Sequence, residues 1–332
     1  MRSINNVTTI LQIFLLGCCL RSHAQTVPAN VKTTVFKFAS VEQGKKLLTQ
    51  RDAFVQRMSP YDRAARMKTD RGTSEEDYLR FVSENVLAWD EQEQEKLSGI
   101  LEEIQSSLQS VVVPFPPVVW VVKTTGKEEG NAPYTRGITI VLPASIFEKP
   151  VEHLEHTLYH ELFHIVSRAN PDLREKLYNA IGFEKIEELE FPKELASRKI
   201  TNPDAPKNDH CIRIRAGGES RWAVPILFSS TEKPDLDPQS VFFDSLQFTF
   251  LIVERTPSFE KVTPVYNDGS LFLVNPGQLT GLFEQIGRNT NYNIHPEEVL
   301  ADNFALCMTG QTEVPSPDIL EKIKSILDPK EK

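Results

Sequence analysis

The sequence predicts an α+β fold in which a β-rich segment lies between two chemically informative helices. Apolar residues recur at helical spacing before residue 110, whereas short apolar runs separated by turn signals follow between residues 211 and 274. Hydrophobic residues make up 40% of the 332 residues, which is enough for one large domain or two lobes.

The first residues are typical of a targeting segment. A mostly apolar run at residues 7–20 is too short for a comfortable membrane span, and Ser22-His23-Ala24 has small residues suited to a cleavage site. We therefore expect residues 1–24 to be a signal peptide and the protein to be exported, either periplasmic or secreted. The alternative is a lipoprotein signal at residues 15–18, in which Cys18 is lipidated and anchors the chain to a membrane.

Residues 25–113 are predicted to form a mainly helical region. Thr73 and Glu76 have the spacing of a capping box, and apolar residues follow at helical spacing between positions 78 and 89. A second amphipathic helix is predicted at residues 97–108, and the prolines that follow it end the region.

Residues 114–200 are predicted to hold the first informative helix, with strands before it and polar helices after it. Strands are expected at residues 118–123 and 137–142. Helices are expected at residues 172–181 and 183–189.

Residues 201–276 are predicted to form a β-rich insert between the two informative helices. A turn-rich linker occupies residues 201–209. The predicted strands then follow at residues 211–215, 222–228, 242–254 and 271–274. This insert either walls a cleft or serves as scaffold. Residues 277–332 are predicted to form a C-terminal helical lobe.

The most informative segment is His160-Glu161-Leu162-Phe163-His164, which lies on the first of these helices. Residues four apart share one face of a helix, so both imidazoles can point at a single metal ion. Glu161 follows the first histidine, where a carboxylate can take a proton from water at that metal. The other positions from 158 to 166 are uncharged, which suits a buried helix.

A candidate third ligand lies far downstream, in the first turn of the second informative helix, which Pro296 begins. Glu298 and Asp302 are four residues apart and therefore share a face. A zinc enzyme needs three protein ligands and an outer group that orients a ligating imidazole. Glu298 would be the third ligand, and Asp302 would accept the N–H of a ligating histidine. Because Glu297 points about 100° away from Glu298, we expect Glu297 at the solvent or at the helix N-terminus.

These residues resemble the pattern of the gluzincin class of zinc metallopeptidases, which is His-Glu-x-x-His on one helix and Glu-x-x-x-Asp on a later one. The resemblance implies a zincin-like metallopeptidase core with one zinc per chain, bound by His160, His164 and Glu298. It also implies that Glu161 is the general base in peptide-bond hydrolysis and that Asp302 supports the ligands. The third histidine of the metzincin pattern is absent after His164.

Beyond the two helices, the resemblance extends at most to the strand before the first. Residues 287–298 separately resemble a segment of an uncharacterised bacterial exported family, to which no substrate is attached. The resemblance suggests that the strand at 137–142 is an edge strand that pairs with an extended peptide; an interior strand is the alternative. A tetrahedral intermediate also needs an oxyanion donor, and the candidates are Tyr292, His295 and His210.

Composition limits the partners and the redox chemistry. A net charge of −9 without a basic cluster argues against nucleic-acid binding. The resemblance to the gluzincins implies a peptide or protein substrate. Membrane attachment is expected only if Cys18 is lipidated. Outside the leader, Cys211 and Cys307 either form a disulfide or remain free thiols. The alternative to an enzyme is a non-catalytic cell-envelope binding protein whose zinc site is structural or degenerate.

Overall fold

The computed structural model describes residues 34–111, 113–237, 240, 242–256 and 260–328. Helices and strands are mixed along this chain, as the α+β prediction requires. The predicted signal peptide and the Cys18 alternative lie outside the described residues. Within the described residues, no helix combines the length and the apolar character that a membrane span needs.

Five helices lie in the N-terminal region that the structure describes. They are α1 (Val41–Leu48), α2 (Ala53–Arg57), α3 (Pro60–Arg66), α4 (Glu75–Glu84) and α5 (Glu91–Ser107). Polar side chains cap their N-termini, and α4 begins with a capping box formed by Ser74 and Asp77. The box therefore lies one residue later than the Thr73 and Glu76 signature predicts. Ser74 and Asp77 have the same three-residue spacing and also have side-chain oxygens.

The first sheet combines parallel strands with an antiparallel edge. Its strands are β1 (Val35–Phe38), β2 (Val86–Leu87), β3 (Val118–Thr124), β4 (Tyr134–Arg136) and β5 (Thr139–Pro143). The order is β1-β3-β5-β4, and β2 pairs with the end of β3. The strands β1, β3 and β5 run parallel, whereas β4 runs antiparallel to β5.

The edge-strand interpretation of residues 137–142 is wrong, and the interior alternative is correct. Gly137 has a φ of 58° and turns the chain, so that β4 pairs along the outer side of β5. Strand β4 therefore occupies the edge of the sheet at which an extended peptide was expected to pair.

The second sheet is antiparallel, and most of its strands lie between residues 201 and 276. Its order is β10-β9-β8-β7-β6, and β13 pairs with β9. The strands are β6 (Phe183–Lys185), β7 (His210–Ala216), β8 (Glu219–Ser229), β9 (Leu246–Arg255), β10 (Val262–Pro264) and β13 (Leu273–Val274). A separate small hairpin joins β11 (Tyr266–Asn267) and β12 (Ser270–Leu271).

The helix predicted at residues 183–189 is absent from the described structure, where β6 begins that stretch. Gly182 has a φ of 85° and turns the chain after α7 (Pro171–Ala180). Phe183 is buried and lies opposite Ile212 of β7. Burial through this long-range pairing outweighs the local preference for a helix. The short helix α8 (Lys193–Ala196) follows.

The core that positions the candidate site is the packing of α6 (Val151–Ala169) against α10 (Pro296–Met308). Tyr159 and Phe163 of α6 pack on Phe304 of α10. Ala301 and Ala305 are fully buried, and their small side chains allow the helices to approach closely. The remaining helices are α9 (Phe283–Ile286) and α11 (Pro317–Leu327).

The two cysteines of the described chain are free thiols. Cys211 lies in β7, and Cys307 lies in α10 with its Sγ 3.8 Å from the carbonyl oxygen of Leu320. The disulfide alternative is therefore wrong in this structure.

Candidate metal centre

The two histidines of the predicted motif lie on one face of α6, and their rings are 4.7 Å apart between centroids. The helix is buried on most sides, because, apart from Glu161, uncharged residues fill the positions between and beside the histidines. His164 has no exposed surface, and the side chain of His160 is largely buried. The four-residue spacing thus brings both imidazoles to one point inside the protein.

Glu298 reaches the same point from the first turn of α10. Its Oε2 atom lies 3.2 Å from Nε2 of His160 and 3.5 Å from Nε2 of His164. One ligand atom from each of these three residues lies within 4.8 Å of the others. Helical spacing on α6 and the close packing of α10 together produce this cluster.

A carboxylate stands behind each histidine and contacts its Nδ1 atom. Asp302 Oδ1 lies 2.7 Å from Nδ1 of His160, at the position that the Glu-x-x-x-Asp spacing predicts. Glu297 Oε1 lies 3.2 Å from Nδ1 of His164. With a cation bound, each Nδ1 would donate its proton to one of these carboxylates, and each Nε2 would direct its lone pair at the ion on the side that faces Glu298.

The expectation that Glu297 lies at the solvent is wrong, although it does lie in the first turn of α10. Glu297 is only 3% exposed and accepts hydrogen bonds from Ser167 Oγ (2.7 Å) and Tyr178 Oη (2.5 Å). The 100° separation directs the Glu297 side chain away from that of Glu298, as predicted. Because α10 crosses α6, however, the Glu297 side chain points at the Nδ1 side of the His164 ring. Ser167, three residues after His164 and on the same face, is the sequence signal for this contact.

The charges of the cluster stabilise one another. Burial alone would lower the pKa of His160, but the Asp302 and Glu298 carboxylates raise it to about 10. Burial would raise the pKa of Glu298, but His164 and His160 hold it well below its usual range. A divalent cation would replace the protons in this role, since carboxylate and imidazole donors already converge on one point.

Glu161 is only 4% exposed and lies beside the cluster. Burial, followed by the nearby charge of Asp204, raises the pKa of Glu161 to about 8. Within the described chain, its Oε2 atom and Nε2 of His164 are buried without a hydrogen-bond partner. An unpaired buried polar atom costs about 1–3 kcal/mol, so these two atoms mark a position that suits a ligand.

A loop that the sequence marks only as a turn-rich linker completes the centre. Asn202 donates from Nδ2 to Glu298 Oε1 at 2.5 Å. Asp204, Glu161 and His164 form a second group whose ligand atoms lie within 4.8 Å of one another. The Oδ1 atom of Asp204 accepts from the backbone N–H and the hydroxyl of Thr135 in β4. Neither Asn202 nor Asp204 has a spacing relative to the motif that would reveal its position.

The three oxyanion-donor candidates lie in different places. Both ring nitrogens of the buried His210 face carboxylates, those of Asp209 and Glu175. His295 caps α10, and its Nδ1 accepts the backbone N–H of Glu297. The rings of both histidines pack around Tyr178, which contacts Glu297 on the Nδ1 side of His164.

Tyr292 is the candidate that lies beside the ligand cluster. Its ring is 6.2 Å from that of His160 between centroids, and 44% of the residue is exposed. It also lines a cavity together with Asn202 and Asp204. Of the three candidates, Tyr292 is therefore the one whose ring lies beside a histidine of the cluster.

The donor set fits zinc. Two imidazoles and one carboxylate are a ligand combination of catalytic zinc sites, which keep a further position for water or substrate. His160, His164 and Glu298 would hold the ion, and the unpaired Nε2 of His164 fits this arrangement.

The chain matches no known family model, no curated protein and no solved structure.

Proposed function

We propose that the protein is a zinc-dependent metallopeptidase of the gluzincin type. The observation that carries the proposal is the convergence of His160, His164 and Glu298 beside the unpaired carboxylate of Glu161. The sequence resemblance supports the same assignment, including a zincin-like arrangement of the core. We include export in the proposal on the basis of the leader-like residues 1–24, with lipidation at Cys18 as the alternative.

Zinc at this position would supply a Lewis acid that polarises the peptide carbonyl. Glu161 takes a proton from the attacking water, whose oxygen bonds to the carbonyl carbon. The carbon–nitrogen bond then breaks, and Glu161 gives the proton to the departing amine.

Asp302 and Glu297 fix the two histidine rings, and Asn202 fixes one oxygen of Glu298. Tyr292 is the proposed donor to the oxyanion, since its placement beside His160 suits this role. The substrate is a peptide or protein.

The alternative is a non-catalytic binding protein with a structural zinc site. A structural site normally has four protein ligands and needs no additional unpaired carboxylate. The buried Glu161 beside the cluster favours the enzyme, because a purely structural site has no need for a carboxylate at that position.

The test combines metal analysis with one substitution. We expect about one zinc per chain, removable by a chelator, and hydrolysis of a peptide library by the zinc-loaded protein. Glu161→Gln should retain zinc and lose activity by about a hundredfold or more, because the general base is removed and the ligands are not. Glu152→Gln, the same change on the exposed first turn of α6, is the matched control and should leave activity unchanged. Zinc binding without peptide hydrolysis would instead favour the structural alternative.

A further inference from the structure

A cavity of about 350 Å³ opens beside the candidate metal centre. It lies where the N-terminal helices, the edge strand β4, the 201–204 loop, the insert and the segment before α10 meet. We call this cavity the side pocket. None of its lining residues belongs to the His-Glu-x-x-His or Glu-x-x-x-Asp pattern.

Three lining residues of the side pocket connect it to the ligand cluster. Asn202 is hydrogen-bonded to Glu298, and Asp204 lies within the 4.8 Å group that includes Glu161 and His164. The ring of Tyr292 lies beside that of His160. A substrate whose reacting carbonyl lies at the centre therefore has the side pocket next to it.

The walls of the side pocket are mainly apolar. Aliphatic and aromatic side chains supply most of the surface, namely Ile200, Leu227, Phe242, Phe243, Leu246 and Ile294. Phe243 is 36% exposed and Tyr292 is 44% exposed, so two large rings at this cavity retain contact with water. Adjacent exposed rings around an apolar cavity are typical of a surface that binds an apolar group.

Among the described lining residues of the side pocket, Arg66 is the one cation, and it is already paired. The guanidinium of Arg66 is buried, forms ion pairs with Asp62 and Glu129, and stacks 4.6 Å from the ring centre of Phe242. It also donates to the carbonyl oxygen of Thr201. Arg66 therefore stiffens the wall instead of offering its charge to an acidic group in the cavity.

We propose that the side pocket holds the side chain of the substrate residue next to the cleaved bond and selects large apolar residues such as Phe or Leu. The proposal rests on the proposed peptidase function for the location of the cleaved bond. The volume accommodates an aromatic side chain, and the apolar walls stabilise it by removing its surface from water. Acidic side chains are disfavoured, because the lining residues that the structure describes include Asp204 and offer no cation other than the paired Arg66.

Binding tests the proposal without requiring cleavage. The Glu161→Gln protein is titrated with blocked pentapeptides that have a central Phe, Ala, Asp or Lys between alanines. We expect the Phe peptide to bind about tenfold more tightly than the Ala peptide, as burial of an aromatic side chain predicts. The Asp peptide should bind more weakly than either. Equal affinities for the Phe, Ala and Asp peptides would overturn the proposal.

Two substitutions then locate the binding. Ala132→Phe fills the side pocket and should remove the preference for Phe over Ala, while the Ala peptide binds as before. Leu246→Asp places a charge in the apolar wall and should shift the preference from Phe to Lys by about tenfold. Tyr266→Ala, which removes an exposed ring at a different cavity, is the control and should leave the order unchanged.

The outcomes separate this inference from the proposed function. If both pocket variants fold and keep the Phe preference, the side pocket is not the binding site, whatever the wild-type protein cleaves. If the preference depends on the side pocket but the wild-type protein cleaves no peptide, the pocket proposal stands and the peptidase proposal fails.

Discussion

The candidate centre has two sides that differ in how the sequence encodes them. On the helical side, α6 and α10 supply the histidines, Glu298 and the carboxylates behind the rings. On the loop side, Asn202 and Asp204 approach the same point from a segment without regular structure. Spacing along a helix fixes direction locally, so the helical side is visible in the sequence. Contacts between distant residues fix the loop side.

Those distant contacts can be named. The backbone of Thr201 is held from both directions, since Asp62 accepts its N–H and Arg66 donates to its carbonyl oxygen. Both partners belong to α3, more than a hundred positions earlier in the chain. Thr135 of β4 similarly holds Asp204. The loop groups therefore depend on a network of contacts outside the motif.

The largest effect is expected on the helical side. Glu298→Ala removes one of three zinc donors and should weaken zinc binding by more than about a hundredfold, beyond the 10–100-fold cost typical of outer residues. Competition with a chromogenic chelator measures the affinity. Glu284→Ala, an exposed glutamate of α9, is the control. A near-normal affinity for Glu298→Ala would show that a different residue, such as Asp204, provides the third donor.

The next largest effect is expected for Arg66, which holds the 201–204 loop through the carbonyl oxygen of Thr201. Arg66→Met should destabilise the fold by about 3–5 kcal/mol, because two buried carboxylates, Asp62 and Glu129, lose their partner. Urea unfolding measures the change. Arg80→Met, which breaks an exposed pair with Asp77, should cost less than about 1 kcal/mol. Equal losses would mean that the buried pair does not organise the loop side.

A smaller effect is expected for Glu297, the carboxylate that contacts Nδ1 of His164. Glu297→Ala should lower zinc affinity by about 10–100-fold, as should Asp302→Ala, because each change frees one histidine ring. Zinc titrations of both variants provide the comparison. From the sequence alone the Glu297 change would be mild, so a wild-type affinity for this variant would contradict the contact with His164.

The same division between local and distant contacts explains which parts of the fold the sequence reveals. The α+β class and the two informative helices follow from periodicity, which is local. The strand at Phe183 and the interior position of β5 depend on pairing with Ile212 and with β4, which no local pattern records. Glu297 is predictable in part. The direction of its side chain on α10 follows from helical spacing, but the packing of α10 across α6, which buries this side chain, does not.

His295 lies where the two sides meet, since it caps α10 and lines a small cavity with the loop residues Thr201 and Asn202. Burial lowers its pKa from 6.5 to about 4. The neutral ring is needed for Nδ1 to accept the backbone N–H of Glu297. Its contribution to stability is therefore complete above the unfolded pKa of about 6.5 and is lost as the pH falls toward 4.

His295→Asn keeps a side-chain oxygen that can cap the helix and removes the titration. The free energy of unfolding of the wild-type protein, relative to this variant, should fall by on the order of 2–3 kcal/mol between about pH 7 and pH 4. Urea unfolding at several pH values measures this difference, in which titrations common to both proteins cancel. Parallel pH profiles would mean that His295 is not held neutral in the fold. In that case the junction between the helical and loop sides would not depend on its capping hydrogen bond.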